Sequence, residues 1–224
     1  MLERFAPSWW RSRYAEDQLA EAVEQDVAQY VVLGAGLDTF ACRNPHSTNL
    51  RVFEVDHPAT QAWKLERLQA AGIAIPQSLK FAPVDFRAAD TGGRTRTGRL
   101  RLRLARVLLL AGSDALPHPG ILATLRFLAQ LPPGSGVAFD FAVDPKLLNL
   151  RQRLALHQIS GGAAAGEPFR LFFRPTELAG GLRNVGFQRT EILGAEEINA
   201  RYFTDRADGL RVRGGPGQLM GAWI

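Results

Sequence analysis

"QYVVLGAGLDTF", residues 29–40, is the stretch on which the reading of this chain turns. Tyr30 to Leu33 form a short apolar, partly β-branched run with no polar break, as in a strand buried on both faces of a sheet. Two glycines follow. Gly34 and Gly36 permit backbone angles closed to other residues, so the strand is expected to end in a tight turn that another group can approach closely. Upstream, "RSRYAEDQLAEAVEQDVAQ" sets Tyr14, Leu19, Ala22 and Val23 among acids and glutamines, which predicts an amphipathic helix over residues 12–27.

The same punctuation recurs downstream. "LRVFEVD" (50–56) reads as a second strand, and "HPATQAWKLERLQAAG" (57–72) as a helix starting at Pro58 and ending by Gly72. "LKFAPVDF" (79–86) is a third strand. "GILATLRFLAQLPPG" (120–134) is a helix stopped by Pro132 and Pro133, and "GVAFDFAV" (136–143) a strand after it. "RPTELAGGLRNVGF" (174–187) is a helix capped near Gly186, leading into "QRTEIL" (188–193); "GGPGQLMGAWI" (214–224) is a turn and a last strand. Strands alternating with helices predict βαβ units, a largely parallel sheet and helices on both faces. Between Gly194 and Gly217 there is no clear helical period, so the last two strands are expected as an antiparallel edge pair. No repeat or linker divides the chain. Residues 1–224 are expected as one domain, with 1–28 an N-terminal helical segment and 91–119 an anomalous basic one.

The composition, 46% hydrophobic and 22% charged, is that of a globular domain. A single cysteine, Cys42, excludes a disulfide within the chain and a cysteine-rich zinc site, and points to a reducing, cytoplasmic setting. No apolar run reaches the roughly 18 residues of a membrane span. His46, His118 and His157 show no metal-ligand spacing, and His57 is placed to cap the helix beginning at Pro58. The net charge of +5 invites a nucleic-acid reading, but residues 91–119 alone hold six arginines and one aspartate. The rest of the chain is neutral.

In open α/β sheets ligands bind beyond the carboxyl ends of the strands. Three such ends carry notable residues here. The first is the turn with Gly34, Ala35, Gly36 and Asp38. The second is "FEVD", with Glu54 and Asp56 about twenty residues after the glycines, where an acid can accept from both hydroxyls of a ribose. The third is "PVDF", where Phe86 can flank an adenine ring and Asp85 can accept from its amino group. A dinucleotide fingerprint would need a third glycine where Thr39 stands, and Asp38 is a poor host for a pyrophosphate. That disfavours a nicotinamide oxidoreductase. A cofactor without phosphate, carrying a positive sulfonium and an amino-acid end, suits an acidic turn: S-adenosylmethionine.

"RSRYAEDQLAEAV", "QYVVLGAGLDTFACR", "VFEVDHPATQAWK" and "FAPVDF" together resemble the leucine carboxyl methyltransferase-like family, and most of all its bacterial branch of S-adenosylmethionine-dependent O-methyltransferases. The resemblance covers residues 11–90, resumes over 120–142 and continues loosely in "RYFTDRADGLR" (201–211). It implies a Rossmann-like class I methyltransferase fold, a mostly parallel seven-stranded sheet with helices on both faces, and a small-molecule acceptor methylated at a carboxyl or hydroxyl oxygen. It also implies site residues: Arg13, with Arg11 the alternative, on the methionine carboxylate; Gly34, Ala35, Gly36 and Asp38 on the methionine part; Asp56 with Glu54 on the ribose; Asp85 with Phe86 on the adenine. No catalytic base and no metal ligand is named, and the oligomeric state stays open.

Two departures from the family stand out. Its members have a longer helical leader than the ten residues before Arg11, and a different segment where this chain has its arginine run, Arg94–Arg106. Read one base out of register, Thr91 onward gives the family-like "LGDALARAGFDFDSPAFFSWLGVTPYLT" and closes back into frame at "GILATL". The segment is therefore expected to reflect two compensating frameshifts. The alternatives are a relative that binds the cofactor but is catalytically impaired, and a nucleic-acid-binding module built on Arg94–Arg106, whose binding would weaken steeply with salt.

Overall fold

The structure, a computed structural model, describes residues 9–85, 107–111, 124–150, 152–154, 156, 172–212 and 214–224. Four strands fall where the sequence places them, β1 (Gln29–Leu33), β2 (Arg51–Asp56), β3 (Leu79–Pro83) and β5 (Gly136–Val143), and β4 (Val107–Ala111), which was not assigned, comes between β3 and β5 in the chain. Three more follow: β6 (Phe172–Phe173), β7 (Arg189–Leu193) and β8 (Gly217–Trp223). They form one sheet in the order β3-β2-β1-β4-β5-β8-β7, with β6 paired to β5 off that path. The first five strands are mutually parallel, and β8 runs antiparallel to both β5 and β7. Two-residue β6 adds a strand that its sequence, too short for any alternation, does not announce. Val107–Ala111 belongs to the anomalous segment, yet as written it fills the place between β1 and β5.

The helices are α1 (Trp9–Glu24), α2 (Phe40–Arg43), α3 (Pro58–Ala70), α4 (Pro175–Val185) and α5 (Ala195–Tyr202), with a further helical stretch at 124–128. Among the described residues no helix is long and apolar enough to cross a membrane. The strand period of two sends alternate side chains to opposite faces. Val31, Leu33, Val137, Phe139 and Phe141 pack with Leu125, Leu128, Leu178 and Leu182 under 124–128 and α4. Tyr30, Val32, Val52, Ala138 and Leu219 pack with Tyr14, Leu19, Phe40 and Ile198 under α1, α2 and α5. Each fully buried side chain of this size contributes about 1.5–3 kcal/mol relative to exposure.

Local signals explain where the helices stop. α1 ends three residues earlier than the periodicity suggests, because Asp26 takes φ 66°, outside the helical region. His57 caps α3 through Nδ1, which accepts from Ala59 N at 3.2 Å, with Pro58 at the first helical position. Gly186 at φ 122° closes α4. α5 lies where no helix was expected. Its signal was short but present: Glu197 Oε2 accepts from Gly194 N at 2.9 Å, half of a capping box, and Ile198 is buried one residue later.

α1 is fixed across the sheet by polar contacts as well as by its apolar stripe. The Tyr14 hydroxyl, fully buried, donates to Glu191 Oε2 on β7 at 2.8 Å. Burial, then the Glu191 carboxylate, push that phenol well above the ordinary tyrosine range. Glu16 takes a two-point ion pair from Arg43 of α2, and Arg11 donates to Asp140 on β5 at 2.8 Å.

Candidate functional site

The order of the sheet reverses at β1: β2 and β3 lie on one side, β4 and β5 on the other. That topological switch point opens a crevice beyond the carboxyl ends of β1 and β4. The chain leaves β1 through Gly34 at φ 64° and Gly36 at φ 49°, left-handed angles that side chains disfavour by roughly 1–2 kcal/mol. Among the described residues a Cβ on Gly36 would meet no atom within 4 Å, so that glycine serves the backbone angle and leaves open space beside the turn.

Alternate residues of the turn are tied to the neighbouring strand. Gly34 N donates to Val55 O at 2.8 Å, and Gly36 N donates to Asp56 Oδ2 at 2.6 Å. Asp38 N donates back to Ala35 O at 2.8 Å, while Asp38 Oδ1 accepts from Phe40 N at 2.8 Å and starts α2. Asp38 O accepts from Lys64 Nζ at 2.6 Å. The other oxygen of Asp56, Oδ1, accepts from His57 N at 2.6 Å. Both oxygens keep further lone pairs, since a carboxylate offers about four acceptor directions.

The expected residues do not all gather at this crevice. Gly34, Gly36 and Asp38 lie on the turn and Asp56 beside it; Ala35 is buried, so only its backbone can face a ligand. Asp85 is exposed after β3, its Oδ2 4.0 Å from His57 Nε2. Phe86 and the run Arg94–Arg106 lie outside the described residues. Glu54 is 1% exposed and bonded to Lys64 Nζ at 2.5 Å, beneath α3 rather than beside Asp56 at the surface. Burial raises its carboxyl above the ordinary glutamate value, with the Lys64 ammonium opposing.

Arg13 and Arg11 also separate. Arg13 is 61% exposed and pairs with Asp17 one turn along α1. Arg11 points inward to Asp140. Since Leu33 pairs with Ala111 and Ala111 with Phe139, Asp140 stands one residue beyond the end of β1, level with Gly34. The sequence held the signal: Arg11 precedes Tyr14, Ala15, Gln18 and Leu19 at helical spacing, on the buried stripe. Asp140 itself, an acid inside an apolar strand, was missed. A separate groove of about 520 Å³, lined by Leu125, Phe172, Phe173, Arg174 and Leu178, lies on the face covered by α4.

A parallel sheet reversing at β1, with a glycine turn there tied to an acid ending β2, defines a doubly wound α/β fold. A solved structure from Thermobifida fusca YX, described as a "putative methyltransferase", superposes with a TM-score of 0.61, covering 96% of this chain and 78% of that one at 16% identity. The leucine carboxyl methyltransferase family matches residues 3–115, and the chain belongs to that family. "Putative S-adenosyl-L-methionine-dependent methyltransferase YktD" of Bacillus subtilis (strain 168) is 34% identical over 204 residues, 89% of this chain and 67% of YktD. A Frankia alni protein of the same description is 32% identical over 143 residues, 62% of this chain and 50% of that protein. The chain thus spans two thirds of the one relative and half of the other.

Proposed function

We propose that this chain is an S-adenosylmethionine-dependent methyltransferase, acting on a carboxyl or hydroxyl oxygen of a small molecule. The observation that carries the reading is the Gly36 N to Asp56 Oδ2 bond at 2.6 Å. It joins a turn with open space beside Gly36 to an acid with acceptor capacity left over, as a nucleoside with an amino-acid tail requires. Asp56 accepts the ribose hydroxyls, and Asp85 with Phe86 takes the adenine. Gly34, Ala35, Gly36 and Asp38 line the methionine part. Arg11, turned inward to Asp140, which is level with Gly34, holds the methionine carboxylate in preference to the outward Arg13. Glu54 belongs under the turn and not on the ribose. We read residues 1–224 as one such domain.

S-adenosylmethionine, when bound, supplies a methyl group on a sulfonium that is displaced in line. The chain's own part is alignment and exclusion of water, and alignment alone can lower such a barrier by several kcal/mol. Asp38 and Asp56 give the crevice a negative lining suited to a cationic sulfonium, whereas a pyrophosphate would be repelled. The oxygen preference rests on the family, whose name is that of a carboxyl-methylating enzyme. A carboxylate acceptor is already ionised and needs no base, whereas a hydroxyl would.

Calorimetric titration of S-adenosylhomocysteine into the full chain is expected to give saturable one-to-one binding. A folded chain that takes up none of it would overturn the proposal. Gly36→Ala should lower stability by about 1 kcal/mol through its left-handed angle alone. Its methyl group projects into the space assigned to the ligand, so the same titration should show roughly five- to ten-fold weaker binding. That step corresponds to about 1–1.4 kcal/mol. Unchanged affinity would place the ligand elsewhere.

A further inference from the structure

Lys64 is an unusual residue to find inside this fold. Its side chain is 4% exposed and that of its partner Glu54 2%. Removing two such charges from water costs several kcal/mol per ion, repaid only when the remaining lone pairs also find partners. Here they do not all do so: Glu54 Oε1 meets no hydrogen-bond donor among the described residues. An apolar pair of similar volume would serve stability as well or better. Stability alone therefore gives little account of the pair.

What the ammonium does besides pairing is hold the turn. Lys64 Nζ donates to Asp38 O at 2.6 Å as well as to Glu54 Oε2 at 2.5 Å, two of its three protons. Glu54 is held from the other side: Gln61 Nε2 donates to its backbone oxygen at 2.9 Å, which fixes α3 against β2. The turn is thus pinned at its entry by Gly34 to Val55, in its middle by Gly36 to Asp56, and at its exit by Asp38 to Lys64. Two residues of the turn have left-handed angles and no Cβ, so the intrinsic stiffness of the segment is low. Its shape comes from the pins.

We infer that Lys64 is a positioning residue: clamped by buried Glu54, it holds the Asp38 carbonyl and so sets the turn in the shape that receives the amino-acid half of the cofactor. This rests on the proposed function above. Pre-ordering the turn removes a cost that binding would otherwise bear. The effect falls on ligands that touch the turn, and spares those held only through Asp56 and Asp85.

The test uses the full chain, Lys64→Met and the double variant Lys64→Met/Glu54→Leu, in which no unpaired charge is left buried. Melting checks the fold. Calorimetry with S-adenosylhomocysteine and with 5′-methylthioadenosine, the same nucleoside without the amino-acid end, measures binding. Hydrogen exchange follows the amides of Leu37 to Phe40. The double variant is expected to melt within a few degrees of the parent and to bind S-adenosylhomocysteine about ten-fold more weakly. Its affinity for 5′-methylthioadenosine should stay within two-fold, with faster exchange in the turn. Equal weakening of both ligands would mean a structural role only, and unchanged exchange with unchanged affinity would remove the clamp; either overturns the inference. Should the parent bind neither ligand, the proposed function fails, and the exchange rates alone decide whether Lys64 orders the turn. If the double variant does not fold, exchange and the ratio of the two affinities in Lys64→Met decide.

Discussion

Asp56→Ala is expected to lower the affinity for S-adenosylhomocysteine about 100-fold. Its carboxylate accepts from Gly36 N and from His57 N, both at 2.6 Å, so it joins the turn after β1 to the start of α3. The same oxygens are the proposed acceptors for the ribose hydroxyls. A hydrogen bond to a charged group contributes about 1.5–3 kcal/mol. Alanine removes the ribose contacts and leaves the Gly36 amide without its acceptor. The loss is therefore expected to reach at least about 2.7 kcal/mol in binding, which is the 100-fold. Asp56→Asn keeps the shape and one good acceptor, and should fall between alanine and the parent. Calorimetry reads the affinities, with melting curves to show that the fold persists. A loss below three-fold for the alanine chain would mean that the nucleoside does not lie on Asp56.

Gly221→Val should damage the fold more than any other single change named above. Gly221 sits in β8 between Ala138 of β5 and Glu191 of β7. A Cβ there would lie 2.2 Å from the Tyr14 hydroxyl oxygen and 2.4 Å from Trp223 Cη2. Tyr14 is fully buried and bonded to Glu191, so it can retreat only if α1 lifts from the sheet. Overpacking usually costs about 1–3 kcal/mol, and displacing a buried hydroxyl from a carboxylate adds to that. About 3 kcal/mol or more is expected, a fall in Tm of roughly 6–12 °C for a chain of this size. Arg11 would move with α1, so cofactor affinity should drop as well. Gly180→Ala in α4 is the matched control: its Cβ would meet nothing within 4 Å among the described residues, and alanine suits a helix interior better than glycine. A Gly221→Val chain that melts with the parent would show that α1 does not depend on this contact.

These two positions differ in how far the sequence discloses them. Asp56 follows the glycines at a telling spacing and ends the strand-like stretch "RVFEVD". Gly221 is one of 22 glycines, and nothing local marks it. Its importance arises because β8 carries it beneath a helix some two hundred residues earlier in the chain.

By itself, the sequence determined whatever depends on neighbours along the chain. Apolar, partly β-branched stretches set β1, β2 and β5, because strands buried on both faces are built mainly from such residues. Pro58 with His57, and Gly186, set helix ends through backbone angles and capping that operate within a few residues. The glycine turn was legible because φ values of 64° and 49° favour a residue without a Cβ. Tertiary structure decided what depends on which faces meet. Glu54 and Asp56, two residues apart, share one face of β2; only the docking of α3 makes the first a buried partner of Lys64 and leaves the second at the crevice. Arg11 and Arg13 are alike in composition and neighbourhood, and the side of α1 that lies on the sheet separates them. Burial is a property of the assembled layers, and so is the charge that each buried group must find.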